Sequence, residues 1–105
     1  MAGERYMTRD HDRIRQWVEA RGGTPATVTA THSDDDAGII RIDFPGYSGE
    51  GTLEAIPWEE WFGKFDESDL VFLYQETLAD GGESNFNKLI SRSTADQNDS
   101  AEWQN

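Results

Sequence analysis

Behind Ile56-Pro57, the residues Trp58, Trp61, Phe62 and Phe65 recur at intervals of three and four, the spacing at which side chains share one face of an α-helix. Pro57 suits the first helical position, and Glu59 and Glu60 suit the first turn, where the helix dipole favours carboxylates. A helix so rich in aromatic rings requires an apolar surface to cover its stripe. A chain of 105 residues has room for one core, so the short β-compatible runs on either side are predicted to supply that surface, with Trp61 and Phe65 turned into it.

The rest of the chain fits this frame. Thr8 reads as a helix N-cap, with Asp10 and Asp12 in the first turn and Ile14, Trp17 and Val18 on one face; a helix over residues 9–21 is predicted, stopped by Gly22-Gly23 and Pro25. Residues 26–31 alternate small apolar side chains with threonine, and residues 39–44 alternate again after the acidic break at Asp34-Asp35-Asp36, which predicts an antiparallel hairpin. Turn formers fill residues 45–51 and leave a short third strand at 52–55. Leu70 to Tyr74 is apolar on both faces, as a central strand requires, and Asp80-Gly81-Gly82 returns the chain into a partner over 84–90. The expected order is α-β-β-β-α-β-β, an α+β fold in which a small antiparallel sheet of about five short strands carries two helices. Residues 1–6 are expected to be a flexible leader, 7–92 a single domain and 93–105 a disordered acidic tail, because Trp103 alone cannot bury a core there.

Charge narrows the setting. The 21 acidic residues outnumber nine basic ones, giving a formal charge of −12, and Lys64 and Lys88 are the only lysines. An acidic, Lys-poor surface stays hydrated where molar salt shortens the Debye length to ~3 Å and screens self-repulsion. A halophile's cytoplasm is the expected setting. Cysteine is absent, which removes disulfides, thiolate nucleophiles and Cys-ligated metals. No signal-peptide pattern opens the sequence and no apolar run approaches the ~18 residues of a membrane span, so a cytoplasmic protein without a membrane association is expected. Arg5, Arg9, Arg13, Arg15 and Arg21 crowd the first helical region. Nucleic acid would have to bind there against a repulsive remainder, and pairing with Asp10, Asp12 and Glu19 accounts for these arginines more simply.

Catalytic patterns are not found. His11 and His32 are the only imidazoles, and a His-based metal centre would need both together with carboxylates. His11 sits at the margin of its helix's apolar face; His32 ends a strand beside the acidic turn, where neighbouring carboxylates favour its protonated form. Asp34-Asp35-Asp36 fails as an EF-hand, since the sixth position is Ile39 and the twelfth Pro45. Gly46, Gly49 and Gly51 surround Glu50, which would repel a phosphate, and Ser48 lacks the glycine two positions on that a nucleophile elbow requires. No catalytic residue, metal ligand or cofactor is therefore expected. The expected contact surface is an apolar patch of Tyr47 and Trp58 rimmed by Glu50, Glu59 and Glu60, beside the glycine-rich loop.

Several segments also carry a family pattern: His11-Asp12-Arg13-Ile14-Arg15-Gln16-Trp17-Val18-Glu19-Ala20-Arg21-Gly22-Gly23, Ile40-Arg41-Ile42-Asp43-Phe44-Pro45-Gly46, Trp58-Glu59-Glu60-Trp61-Phe62-Gly63-Lys64-Phe65-Asp66 and Leu70-Val71-Phe72-Leu73-Tyr74-Gln75-Glu76. Over about residues 7–92 the chain resembles a group of small uncharacterised prokaryotic proteins, some of which carry the label 1,4-alpha-glucan branching enzyme. Branching enzymes work on a (β/α)₈ barrel of roughly 250 residues, which a chain of 105 residues cannot contain. The resemblance thus implies at most an accessory of glycan metabolism and brings no catalytic residues. Three functions stay open: a non-catalytic binding or regulatory module with a protein partner or self-association, an accessory or small enzyme of glycan metabolism, and nucleic-acid or phosphate binding through the first helix.

Overall fold

The strands expected from alternation all form, and the fold is α+β, but they belong to two sheets and are joined by strands from both termini. The computed structural model describes residues 4–45, 52–78, 80–97 and 101–104. In chain order its elements are β1 (Arg5–Thr8), α1 (His11–Ala20), β2 (Thr24–Val28), a 3₁₀ turn (Thr29–Thr31), β3 (Ile40–Asp43), β4 (Leu53–Ala55), α2 (Trp58–Glu67), β5 (Leu70–Gln75), β6 (Asn87–Ser91), α3 (Arg92–Asp96) and β7 (Ala101–Trp103). Contacts divide the chain into two units, Met1–Trp17 with Asp69–Asn105, and Val18–Ser68. No helix among the described residues is long and apolar enough to cross a membrane.

The first unit is built on a four-stranded sheet in the order β6-β5-β1-β7. β5 is buried along Val71 to Tyr74, as its continuous apolar run requires, and is flanked by two antiparallel neighbours, β1 (Tyr6 opposite Tyr74) and β6 (Phe72 opposite Leu89). Its two faces are both used. Val71 and Leu73 join Met7, Ile90 and Ala95 on one, while Phe72 and Tyr74 stack at 5.6 Å on the other and meet the edge of Trp17 at 5.4 and 5.8 Å. The indole Nε1 of Trp17 donates to the Gln75 carbonyl at 3.2 Å, so the ring is fixed at its polar end as well as by packing.

Both termini depart from the expectation. The supposed leader contributes Arg5 and Tyr6 to β1, and α1 starts at His11, because Thr8 is a buried strand residue and Asp10 is the cap: its Oδ1 accepts from the backbone N–H of Asp12 and Arg13 at 3.0 and 3.2 Å. The expected tail holds α3 and β7. Ser91 caps α3 by accepting from the Thr94 N–H, Ala95 anchors it at 1% exposure, and β7 runs parallel to β1 with Gln104 N–H donating to the Met7 carbonyl at 2.8 Å. Main-chain hydrogen bonds hold β7, so its polar composition is no obstacle. Trp103 remains exposed, with the Arg92 guanidinium 5.9 Å above its ring.

The second unit is a three-stranded antiparallel sheet, β3-β2-β4, covered by α2. The chain reaches β2 through the Gly22-Gly23 stop, where Gly23 N–H donates to Val18 O at 2.9 Å and Gly22 N–H to Glu19 O at 3.1 Å. This is the double closure of a Schellman motif, and Gly22 takes the positive φ of 72° that it needs. Pairing follows from alternation: Thr27 opposes Ile40, and Ala26 opposes both Arg41 and Ala55. Trp61 and Phe65 lie at 0% exposure with their rings stacked at 5.5 Å, and Trp61 Nε1 donates to the Arg41 carbonyl of β3 at 2.9 Å.

Candidate functional site

α2 has a second face besides the aromatic one. Glu60, Gly63, Lys64 and Glu67 recur at i, i+3, i+4 and i+7, so they form a continuous polar stripe. Opposite it runs the loop that follows the 3₁₀ turn. Together they enclose an open cleft of about 470 Å³, entirely within the second unit, whose charged lining is Asp34, Asp35, Asp36, Glu60 and Glu67 against His32 and Lys64.

The loop is shaped by its own short-range bonds. Asp36 N–H donates to Ser33 Oγ at 3.1 Å, and Asp36 Oδ1 accepts from the Gly38 N–H at 2.8 Å. Gly38 has φ of 82°, and a Cβ there would lie 2.5 Å from the Thr31 carbonyl oxygen. Only glycine fits this return of the loop onto the 3₁₀ turn. Ile39 N–H then donates to Thr31 Oγ1 at 2.9 Å and leads into β3.

Two ion pairs tie the loop to α2, four residues apart on each partner and opposite in polarity. His32 Nε2 lies 2.8 Å from Glu60 Oε2, and Asp36 Oδ1 lies 2.8 Å from Lys64 Nζ. The other imidazole nitrogen, Nδ1, lies 3.1 Å from Glu54 Oε1 on β4. The bond to Glu60, followed by that to Glu54, raises the His32 pKa above its ordinary 6.5 against an opposing desolvation. The Lys64 ammonium, with help from the Gly38 N–H, holds Asp36 below the ordinary carboxylate value, and Asp36 in turn raises Lys64.

These pairs leave Asp34 and Asp35 without a cation among the described residues. They also leave Gly63 conspicuous: it lies inside a helix, where glycine costs ~1 kcal/mol relative to alanine, yet apart from its chain neighbours and the helix's own backbone no described atom lies within 4 Å of where its Cβ would be. Internal packing gives no reason for that glycine. The carboxylates of Glu54 and Glu60 sit on opposite nitrogens of one ring and do not converge on a common point, and no group of three or more His, Asp or Glu positioned for a metal occurs among the described residues.

The surface expected from the sequence is only partly within view. Tyr47 and Glu50 lie outside the described residues. Trp58 is half-buried, stacked on Phe62 at 5.0 Å and edge-on to Trp61 at 5.4 Å, with its Nε1 donating to Glu19 Oε2 at 3.2 Å; Glu59 is exposed beside it. His11 and His32 belong to different units. The preference of His32 for a proton was legible, but its partners are Glu54 and Glu60 and not the adjacent aspartates. The one local signal for the cleft was the helical spacing of Glu60, Gly63, Lys64 and Glu67.

The fold and the cleft thus define a small α+β protein with an acidic groove along one helix. Comparison with family models, with curated proteins and with solved structures returns no match to this chain.

Proposed function

We propose that the chain is a small non-catalytic binding module suited to an acidic, salt-rich cytoplasm, and that it receives a basic group of a protein partner in the cleft along α2. The observation that carries this reading is the pairing of uncompensated carboxylates, Asp34 and Asp35, with an open helix surface at Gly63. A ligand's Lys or Arg side chain would find charge at the loop and room to approach at the helix. The exposed Glu59 and half-buried Trp58 lie on the same helix, so the partner surface inferred from the sequence and the cleft are two sides of one element. Phosphate binding through the first helix is less well supported, because Arg5 and Arg9 fall before α1 and the Arg9 guanidinium already donates to the Leu70 carbonyl and pairs with Asp69.

A short peptide of lysine and arginine, titrated into the isotope-labelled chain, should move the amides of residues 33–37 and Gly63 saturably, while an acidic peptide of equal length should not. Replacing Asp34 and Asp35 together by Asn should weaken the interaction about two- to thirtyfold, the range of two exposed ion pairs. A linear, non-saturating response, or shifts of equal size throughout the first unit, would remove the cleft as the site. The salt-rich setting has its own check. Far-UV dichroism should strengthen as KCl is raised from ~0.1 M to above ~1 M, where the Debye length falls from ~10 to ~3 Å. A signal already complete without added salt would argue for an ordinary acidic protein.

A further inference from the structure

We infer that His32 is a proton-operated latch, whose imidazolium ties the loop of the cleft simultaneously to β4 through Glu54 and to α2 through Glu60. The geometry itself requires the charge. A neutral imidazole has one N–H and one lone pair, but here each ring nitrogen faces a carboxylate oxygen, at 3.1 and 2.8 Å. Only the doubly protonated ring donates to both. Whichever nitrogen loses its proton turns a lone pair onto an oxygen it had held, and one of the two tethers becomes repulsive.

The charged groups around the ring sharpen the switch. Glu54 faces it from β4 and Glu60 from α2, while Asp34, Asp35 and Asp36 from the loop, with Glu67 and Lys64 from α2, share its cleft. Lys64 is neutralised by Asp36 at 2.8 Å, so the surplus around His32 is negative and favours its proton. The folded state therefore holds the proton more tightly than the unfolded chain. The latch contributes fully below pH 6.5 and is lost as pH rises through the higher folded value. The Asp36–Lys64 pair behaves differently: it weakens only as pH falls through a value below 3.8 or rises through one above 10.5. As pH rises through the folded value of His32, above 6.5, one tie stays closed while the other opens, which makes Asp36 the hinge and His32 the moving end.

The latch needs only this geometry. Its effect on ligands rests on the proposal that the cleft binds a basic group: loss of the imidazolium makes the cleft more negative by one charge, so such a ligand binds better at high pH and, reciprocally, lowers the His32 pKa.

Two measurements on the full chain keep these statements separate. In a proton–nitrogen titration of the ligand-free protein, His32 should titrate above 6.5, and the amides of residues 33–35 should shift with the same midpoint while Lys64 stays still. Glu60→Gln and Glu54→Gln, each with unchanged dichroism at low pH, should each lower that midpoint, because each removes one carboxylate that favours the charged ring. A midpoint at or below 6.5, insensitivity to both substitutions, or loop amides that ignore the titration would overturn the latch. The second measurement repeats the basic-peptide titration on either side of the midpoint. Affinity that does not rise with pH, with the first set of results intact, would leave the latch standing and remove the cleft as its target.

Discussion

Trp61→Ala should lower the unfolding free energy by about 3–5 kcal/mol, the cost of deleting a fully buried indole and leaving its cavity. Trp61 has no exposed surface, stacks on Phe65 and meets Trp58 and Phe62 edge-on. Its removal also leaves the Arg41 carbonyl without the Nε1–H donor, which adds to the transfer and cavity terms. Trp58→Ala is the informative partner. That ring is half-buried, and its hydrogen bond runs to Glu19 on the surface, so the loss should stay nearer ~1 kcal/mol. Urea melts of the two variants, fitted with a common slope, check the difference; equal and large losses would make Trp58 a core residue and leave no aromatic edge for a partner.

Phe72→Ala should cost a similar ~3–5 kcal/mol in the first unit. Phe72 is fully buried at the centre of β5, stacked on Tyr74 and meeting the edge of Trp17. The same substitution at Phe86, which is 37% exposed and has the Arg5 guanidinium 5.0 Å from its ring, should be tolerated within ~0.5–1 kcal/mol. Calorimetry of both variants is the check. A small effect at Phe72 would mean that β5 is not the central strand that its continuous apolar run implies.

The elements legible in the sequence are those whose signal is local. The α2 stripe, the Gly22-Gly23 stop and the alternation of β3 act within a few residues and form close to their predicted positions, whereas β2 pairs over Thr24–Val28 and residues 29–31, expected to continue it, wind into the 3₁₀ turn. Partner choice is not local. Nothing in Arg5 to Thr8 announces that Met7 will lie opposite Leu73, and nothing in Ala101 to Trp103 announces a parallel pairing with β1. The division into two sheets was therefore out of reach, although most of the strands were not. The cleft follows the same rule. The charge preference of His32 was readable from acidic company in general, but Glu60 stands 28 residues away and is brought to the ring only when α2 closes over its sheet.

Strand β1 has a consequence for the order in which the chain is made. It forms its hydrogen bonds with β5 on one edge and β7 on the other, and both are synthesised long after it. At about 5–20 residues per second, the wait from Thr8 to Gln75 is on the order of 3–13 s, and for that interval a strand bearing Tyr6 and Met7 has neither of its pairing partners. The stretch Val18–Ser68 contains every strand of its own sheet, so the pairing partners of β2, β3 and β4 are all made before β5. A chain ending before Leu70 thus contains every strand of the sheet beside the groove, together with His32 and α2, whereas β1 lacks both of its neighbours.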